Sequence, residues 1–270
     1  MKVSIVTPTY NRKHTLFRLY ESIKNLEGVG RDDFEWLIID DGSSDGTGLY
    51  VEQVFSDVFF NIKYYYQSNL GKPSAINNGV CKANGEYIFI VDSDDVITCD
   101  SIAAIIEADL SLNKIKDNDI SGFCFRKGML DGGILGSELD DNASFFMGAT
   151  DCGSLFEADL AYVFRKESML KHPFPVFHGE KFVPELFIWN KITDENKVMV
   201  FPNRMIYLCE YLADGLSNNF NSQIKLNPKG FSVYYKDQIK RERSFYNKTK
   251  RVVRLFQCYM YLLFRFVRSL

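Results

Sequence analysis

Short apolar runs alternate with stretches of helical periodicity in the N-terminal part of the chain. This alternation constrains the fold more than any other feature. "VSIVT" at residues 3–7, the run Phe34 to Ile39, "IKYYYQS" from Ile62 and "YIFIV" at 87–91 read as strands. Between them, "NRKHTLFRLYESIKNL" sets Leu16, Leu19, Tyr20, Ile23 and Leu26 at helical spacing. "LYVEQVFSDV" reads as a helix, and "GKPSAINNGVCKAN" as another from about Pro73, with proline in its first turn. "CDSIAAIIEADLSLN" supplies a further helix after the fourth strand. Strand and helix in this alternation predict an α/β fold with a mostly parallel sheet flanked by helices.

The ends of these strands are polar. One runs into Thr7-Pro8-Thr9-Tyr10-Asn11, a second into Asp40-Asp41, and the fourth into Asp92-Ser93-Asp94-Asp95. In open α/β sheets, ligands bind beyond the carboxyl ends of the strands. An acid after a strand also serves as an ordinary turn former or helix cap. Packed carboxylates repel one another, so a cluster of them needs protonation, a basic partner or a metal. A hard dication with oxygen ligands, Mg²⁺ or Mn²⁺, fits that need and commonly sits between carboxylates and substrate phosphates.

After about residue 115 the pattern shifts to strands, turns and short helices. "AYVFRKESMLKHPFP" reads as a strand and a short helix, "KFVPELFIWNKIT" contains a helix, and "VMVFPNRMIYLCEYL" is strand-like. No proline- or serine-rich linker intervenes, so the halves are expected to share one core. The expected organisation is a nucleotide-binding half at 1–115, a second substrate half at 116–220 and a C-terminal extension at 221–270. That extension is distinctive. Residues 240–270 carry nine Lys/Arg and one acid, Glu242, a net of +8 against −11 for the rest of the chain. Its apolar residues follow helical spacing, which predicts an amphipathic helix lying on an anionic membrane surface. A helix packed on the body, or a dimer contact, is the competing expectation. The acidic body argues against a nucleic-acid partner. No apolar run reaches the ~18–20 residues needed to span a bilayer. "MKVSIVTPTYNR" has no signal-peptide character. The six cysteines form no C-x-x-C pair, which speaks for a reducing cytoplasm and against a disulfide framework or zinc site. The expected location is the cytoplasm, with peripheral contact at the inner face of the cell membrane.

Four segments together, "VSIVTPTYNR", "LIIDDGSSDGT", "NLGKPSAINNGV" and "ANGEYIFIVDSDD", resemble in order and spacing the donor half of the family 2 glycosyltransferases. The later "FHGEKFVPELFIWNKI" and "EYLADGLSNN" resemble that family's base segment and following loop. The resemblance covers most of residues 1–220 and fades in the tail. It implies a GT-A, Rossmann-like fold and an inverting, metal-dependent transfer of one sugar. The donor would be a nucleotide-sugar, most readily a UDP-sugar. The acceptor would be a hydroxyl of a glycan or lipid-linked saccharide in surface polysaccharide synthesis. The Q-x-x-R-W signature of processive members is absent.

The same resemblance assigns roles. Tyr10 would stack on the base, and Thr7 and Pro8 would line its pocket. Asp41 would accept a hydrogen bond from the base ring, with Asp40 supporting the loop. Asp92 would face the ribose or the metal, and Asp94 would be the direct metal ligand, with Ser93 between them at the donor site. Asp95 would stand behind them. Lys72 would reach a phosphate or the sugar, or remain an ordinary solvated lysine. For the base that deprotonates the acceptor, Glu185 is first choice and Glu180 second. Glu185 heads the apolar run Leu186-Phe187-Ile188-Trp189, a setting that suits a carboxylate taking a proton near neutral pH. It stands where family members often have aspartate. Trp189 reads as core more readily than as a sugar platform. The loop Asp214 to Asn219 would close over the donor, or be plain surface. Two other classes stay open. A nucleotidyltransferase should carry a glycine-rich loop after its first strand, and "TPTYNRKHT" has no glycine. A sugar-nucleotide-binding protein without catalysis would not depend on Glu185. A dehydrogenase is disfavoured, since no G-x-G-x-x-G follows a strand.

Overall fold

The computed structural model describes residues 1–55, 59–115, 120–210 and 220–269. The loop Asp214 to Asn219 lies outside the described residues. In chain order the elements are β1 (Val3–Thr9), α1 (Lys13–Lys24), β2 (Phe34–Asp40), α2 (Thr47–Val54), β3 (Asn61–Tyr66), α3 (Lys72–Lys82), β4 (Tyr87–Ile90), β5 (Val96–Ile97) and α4 (Ser101–Ile115). There follow β6 (Ile120–Met129), β7 (Phe145–Met147), α5 (Ala149–Phe156), β8 (Leu160–Arg165), α6 (Lys166–Lys171), α7 (Leu186–Glu195) and β9 (Lys197–Cys209). Three helices close the chain: α8 (Phe220–Leu226), α9 (Pro228–Arg241) and α10 (Phe245–Ser269).

The strands form one sheet in the order β3-β2-β1-β4-β8-β6-β9-β5, with β7 paired to β9. Pairings among β3, β2, β1 and β4 are parallel. β8 enters antiparallel between β4 and β6, and β6 and β9 are parallel again. Every residue of β1 and β2 is buried, as expected for parallel strands covered on both faces. Successive β1 side chains feed opposite cores. Val3 and Ile5 pack with Leu16, Leu19 and Ile23 of α1 and Ile102 and Ile105 of α4. Val6 packs with Ile76 and Val80 of α3 and Ile188 and Trp189 of α7. α3 lies so close to the sheet that a Cβ on Gly79 would stand 2.4 Å from Val6 Cγ1.

Register decides where the polar ends meet. Thr9 lies beside Asp40, and Val6 beside Ile90, the last residue of β4. The termini of β1, β2 and β4 therefore share one edge of the sheet, and the segments after them gather there. β9 reaches the same edge from the other half, pairing Leu208 with Val96.

Candidate active site

The loops after β1 and β2 are tied into one platform. Asn11 adopts a positive φ of 52°, where its N–H donates to Ser43 Oγ (2.8 Å) and its Oδ1 accepts from Ser44 N–H (2.8 Å). Asp40 accepts from Ser43 N–H (2.7 Å) and the Tyr64 hydroxyl (2.6 Å), so it holds the loop. Asp41 is buried and accepts from Gln67 Nε2 (2.8 Å), Leu70 N–H (2.8 Å) and Gly71 N–H (2.7 Å). This fixes the turn that leads into α3. Thr7 is fully buried, and its hydroxyl accepts from Trp36 Nε1 (2.9 Å), which leaves the backbone to face the edge. Pro8 is buried beside Ile39. Tyr10 stands out from the platform, 49% exposed.

Asp92, Ser93, Asp94 and Asp95 follow β4 directly. Carboxylate oxygens of Asp92, Asp94 and Asp95 all lie within 4.8 Å of one another. Ser93 is buried between them. Burial raises the Asp94 carboxyl above its ordinary value, and the Asp92 charge adds to this, against the Arg12 guanidinium. Burial and the Asp92 charge likewise push Asp95 up to about 7, against a hydrogen bond from Tyr207. That bond runs from the Tyr207 hydroxyl to Asp95 Oδ2 (2.6 Å), and the same hydroxyl accepts from Asp92 N–H (3.1 Å). Three carboxylates this close repel one another, and a dication would offset that charge. The all-oxygen donor set is the kind that suits Mg²⁺ or Mn²⁺.

Lys72 joins this cluster to the second half of the chain. Its Nζ lies 2.7 Å from Asp92 Oδ1 and 2.7 Å from Glu185 Oε1. Burial opposes the Lys72 charge, but the two carboxylates outweigh it and raise the ammonium above its ordinary value. It is therefore a bridge and not a solvated lysine. Glu185 stands at the N-terminus of α7. A small cleft opens beside it, lined among others by Asp92, Lys127, Tyr162, Glu185, Trp189 and Tyr207. Trp189 packs against Tyr162, Phe164 and Phe174, so it belongs chiefly to the core.

Glu180 is placed differently. It is buried, and its carboxylate accepts from Lys229 N–H (3.0 Å) and Gly230 N–H (2.9 Å) in the first turn of α9. Arg265 of α10 approaches to 3.6 Å. These contacts satisfy helix-end donors that would otherwise lack partners. Sequence reasoning missed this cap, since the donors lie 49 and 50 residues away. It also missed Lys127 and Tyr207. Lys127 pairs with Asp159 (2.8 Å) and lies over the Tyr207 ring, 4.4 Å from its centroid. The available signal was Arg126-Lys127, two adjacent cations closing the apolar strand "FCFRKGM".

Residues 4–114 match the model of glycosyl transferase family 2. The chain is similar to abequosyltransferase RfbV of Salmonella typhimurium, 39% identical over 106 residues, or 39% of this chain and 32% of that protein. It is similar to a GalNAc(5)-diNAcBac-PP-undecaprenol beta-1,3-glucosyltransferase of Campylobacter jejuni, 32% identical over 108 residues, or 39% and 34% of the two chains. The matched stretches thus span about a third of these relatives' own length. Among solved structures, S. aureus TarS 1–349 in complex with UDP-GlcNAc superposes with a TM-score of 0.68 at 18% identity, over 94% of this chain and 70% of that one. The Pyrobaculum calidifontis mannosyltransferase PcManGT, in complex with GDP-Man and Mn²⁺, gives 0.60 at 15% identity, over 97% and 74%. At these identities the likeness shows a shared GT-A fold.

Proposed function

We propose that this chain, whose residues 4–114 match the model of glycosyl transferase family 2, moves one sugar from a UDP-sugar to a hydroxyl of a glycan or lipid-linked saccharide, with inversion, in surface polysaccharide synthesis. The observation that carries the reading is the convergence of Asp92, Lys72 and Glu185. An acidic cluster suited to a cation and a carboxylate suited to proton transfer are joined by one ammonium. Relatives named as sugar transferases, one of them acting on an undecaprenol-linked saccharide, support the acceptor class.

Residues 1–115 form the donor half in this reading, 116–220 the acceptor half and 221–270 an extension. Tyr10 stacks on the uracil, and the backbone of Thr7 and Pro8 lines its edge. Asp41 Oδ2 accepts from Gly71 and keeps capacity for the base-ring N–H. A base lacking that donor would forgo one hydrogen bond to a charged acceptor, a contribution of about 1.5–3 kcal/mol. Asp94 and Asp92 would hold Mn²⁺ or Mg²⁺, with Asp95 fixed behind them by Tyr207. The cation, when bound, offsets the charge that develops on the departing diphosphate. Glu185 takes the proton of the acceptor hydroxyl as its oxygen attacks the anomeric carbon opposite the diphosphate. The new C–O bond forms while the bond to diphosphate oxygen breaks, so the configuration inverts. A base of this kind contributes ~10²–10⁴-fold in rate. Lys72 pairs with Glu185 at 2.7 Å and fixes its carboxylate beside the cleft. Its ammonium also stands where a phosphate would approach Asp92.

The test is to incubate the protein with UDP-sugars, Mn²⁺ and a lipid-linked saccharide, and to follow UDP release and product anomer by NMR. Release of UDP with an inverted linkage is expected. Retained configuration, or no turnover of any UDP-sugar by folded protein, would overturn the reading. Turnover of a GDP-, CMP- or dTDP-sugar instead would overturn the role given to Asp41.

A further inference from the structure

The long C-terminal helix is turned inside out relative to an ordinary surface helix. A helix that packs on a globular body normally buries its apolar stripe and shows its charges to water. In α10 the guanidinium groups of Arg254 and Arg265 reach back to the body. Arg265 Nη2 donates to the carbonyls of Lys225 (2.9 Å) and Leu226 (2.8 Å), closing the end of α8. Arg254 Nη1 donates to Asn221 Oδ1 (3.1 Å). Only a narrow apolar strip, around Leu255, Cys258 and Tyr261, packs against Phe231 and Tyr235 of α9. The broad apolar face points away from the body. Val252, Val253, Phe256, Leu263, Phe264 and Val267 are all exposed, Phe256 by 64% and Leu263 by 54%.

The surroundings of that face say what covers it. Arg243, Lys248 and Lys250 are exposed at its N-terminal end. The one acid within residues 240–270 is Glu242, so the tail carries +8. Pairing of α10 with its copy would bring two such tails together. An anionic lipid surface complements both features, taking the apolar side chains at the acyl boundary and the cations at the headgroups. The remaining charge of −11 would be repelled by the same surface, which confines contact to this helix. Among the described residues, no helix is long and apolar enough to cross a membrane, so the contact lies in the plane.

We infer that the exposed apolar face of α10 is a docking surface for an anionic lipid bilayer. The inference does not depend on the transfer chemistry. It does bear on the cleft's position. α10 packs on α9, and α9 is latched to the segment before Glu185 by Glu180 and by Asn227 Oδ1, which accepts from Lys181 N–H (2.7 Å). A docked α10 therefore sets the distance of Glu185 from the lipid surface.

The test is co-sedimentation of the full chain with vesicles of phosphatidylcholine alone or mixed with phosphatidylglycerol. Two double variants accompany it, Phe256→Asp with Leu263→Asp and Lys248→Glu with Lys250→Glu, each checked for folding by circular dichroism. The wild type should bind the phosphatidylglycerol vesicles and lose at least about tenfold in partitioning on each double change, through lost acyl burial in the first and lost headgroup attraction in the second. Wild type left in the supernatant with phosphatidylglycerol vesicles overturns the inference. So does a dimer in sedimentation velocity that the Phe256/Leu263 change dissociates, without vesicle binding, since a second copy would then occupy the face.

Discussion

Glu180 and Glu185 sit in one segment, and the structure gives them different partners. Glu180→Gln keeps one carbonyl oxygen and removes the charge. The two N–H groups of Lys229 and Gly230 then compete for a weaker acceptor, and Arg265 loses its counter-charge. Hydrogen bonds to a charged group contribute about 1.5–3 kcal/mol, and loss of a helix cap costs about 0.5–2 kcal/mol. A net loss of ~2 kcal/mol follows, or roughly 4–8 °C in melting temperature for a chain of this size. Turnover below the new melting point should stay within about threefold of wild type, because nothing here reaches the reacting atoms. Glu185→Gln should do the opposite. It leaves the α7 helix terminus intact and lowers kcat by ~10²–10⁴-fold, with donor binding retained. Thermal unfolding followed by fluorescence, together with UDP release at saturating donor, reads both quantities. A Glu180→Gln protein that melts like wild type but turns over a hundredfold more slowly would refute the assignment. Wild-type turnover by Glu185→Gln would refute it equally.

Other consequences are open to direct measurement. Tyr10 is half exposed and makes no core contact, so Tyr10→Ala should leave the melting temperature unchanged. It should raise the donor KM by roughly 5–150-fold, the equivalent of ~1–3 kcal/mol of base stacking; an unchanged KM would remove Tyr10 from the donor site. Gly79→Ala places a Cβ 2.4 Å from Val6 Cγ1 and 3.1 Å from Ile39 Cγ1, and should destabilise by ~1–3 kcal/mol in urea unfolding. No loss would mean that α3 does not press on the sheet as described. Burial disfavours the Glu35 charge, but Lys63, Asn84 and Ser4 outweigh this and hold the carboxyl below its ordinary value of 4.5. Its stabilisation is therefore fully present above that value and lost as pH falls through the lower, folded-state one. The stability gap between wild type and Glu35→Gln should be constant near neutrality and shrink in acid; a gap that is flat with pH would contradict this.

The readable parts of the fold were those encoded locally. β1, β2 and β4 are largely buried, so each leaves a mostly apolar run in the sequence, broken at Ser4 and Glu35, which hydrogen-bond to each other. Their polar ends follow at once, and parallel pairing carries those ends to one edge. Asp40 and Asp41, Asp92 to Asp95 and the α1 face could all be named from the chain alone. Less could be read where the sheet changes direction. β8 enters antiparallel between β4 and β6, and β9 pairs with three strands over 13 residues. No local periodicity encodes those choices. They bring Lys127 and Tyr207 under Asp92 and Asp95. Lys72 had seemed equally suited to solvent, because its two partners lie 20 and 113 positions further along the chain. The tail's amphipathic pattern was plain in sequence. Which side faces the body was not, because the inward guanidinium groups find carbonyl partners on α8.

Calorimetric titration of UDP into the protein, with Mn²⁺, with EDTA and in the Asp94→Asn variant, tests the central claim most directly. The account predicts heat of binding with Mn²⁺ that is lost with EDTA and in the variant. UDP binding of equal strength in all three would contradict the nucleotide–cation site, and with it the role given to the acids at the end of β4.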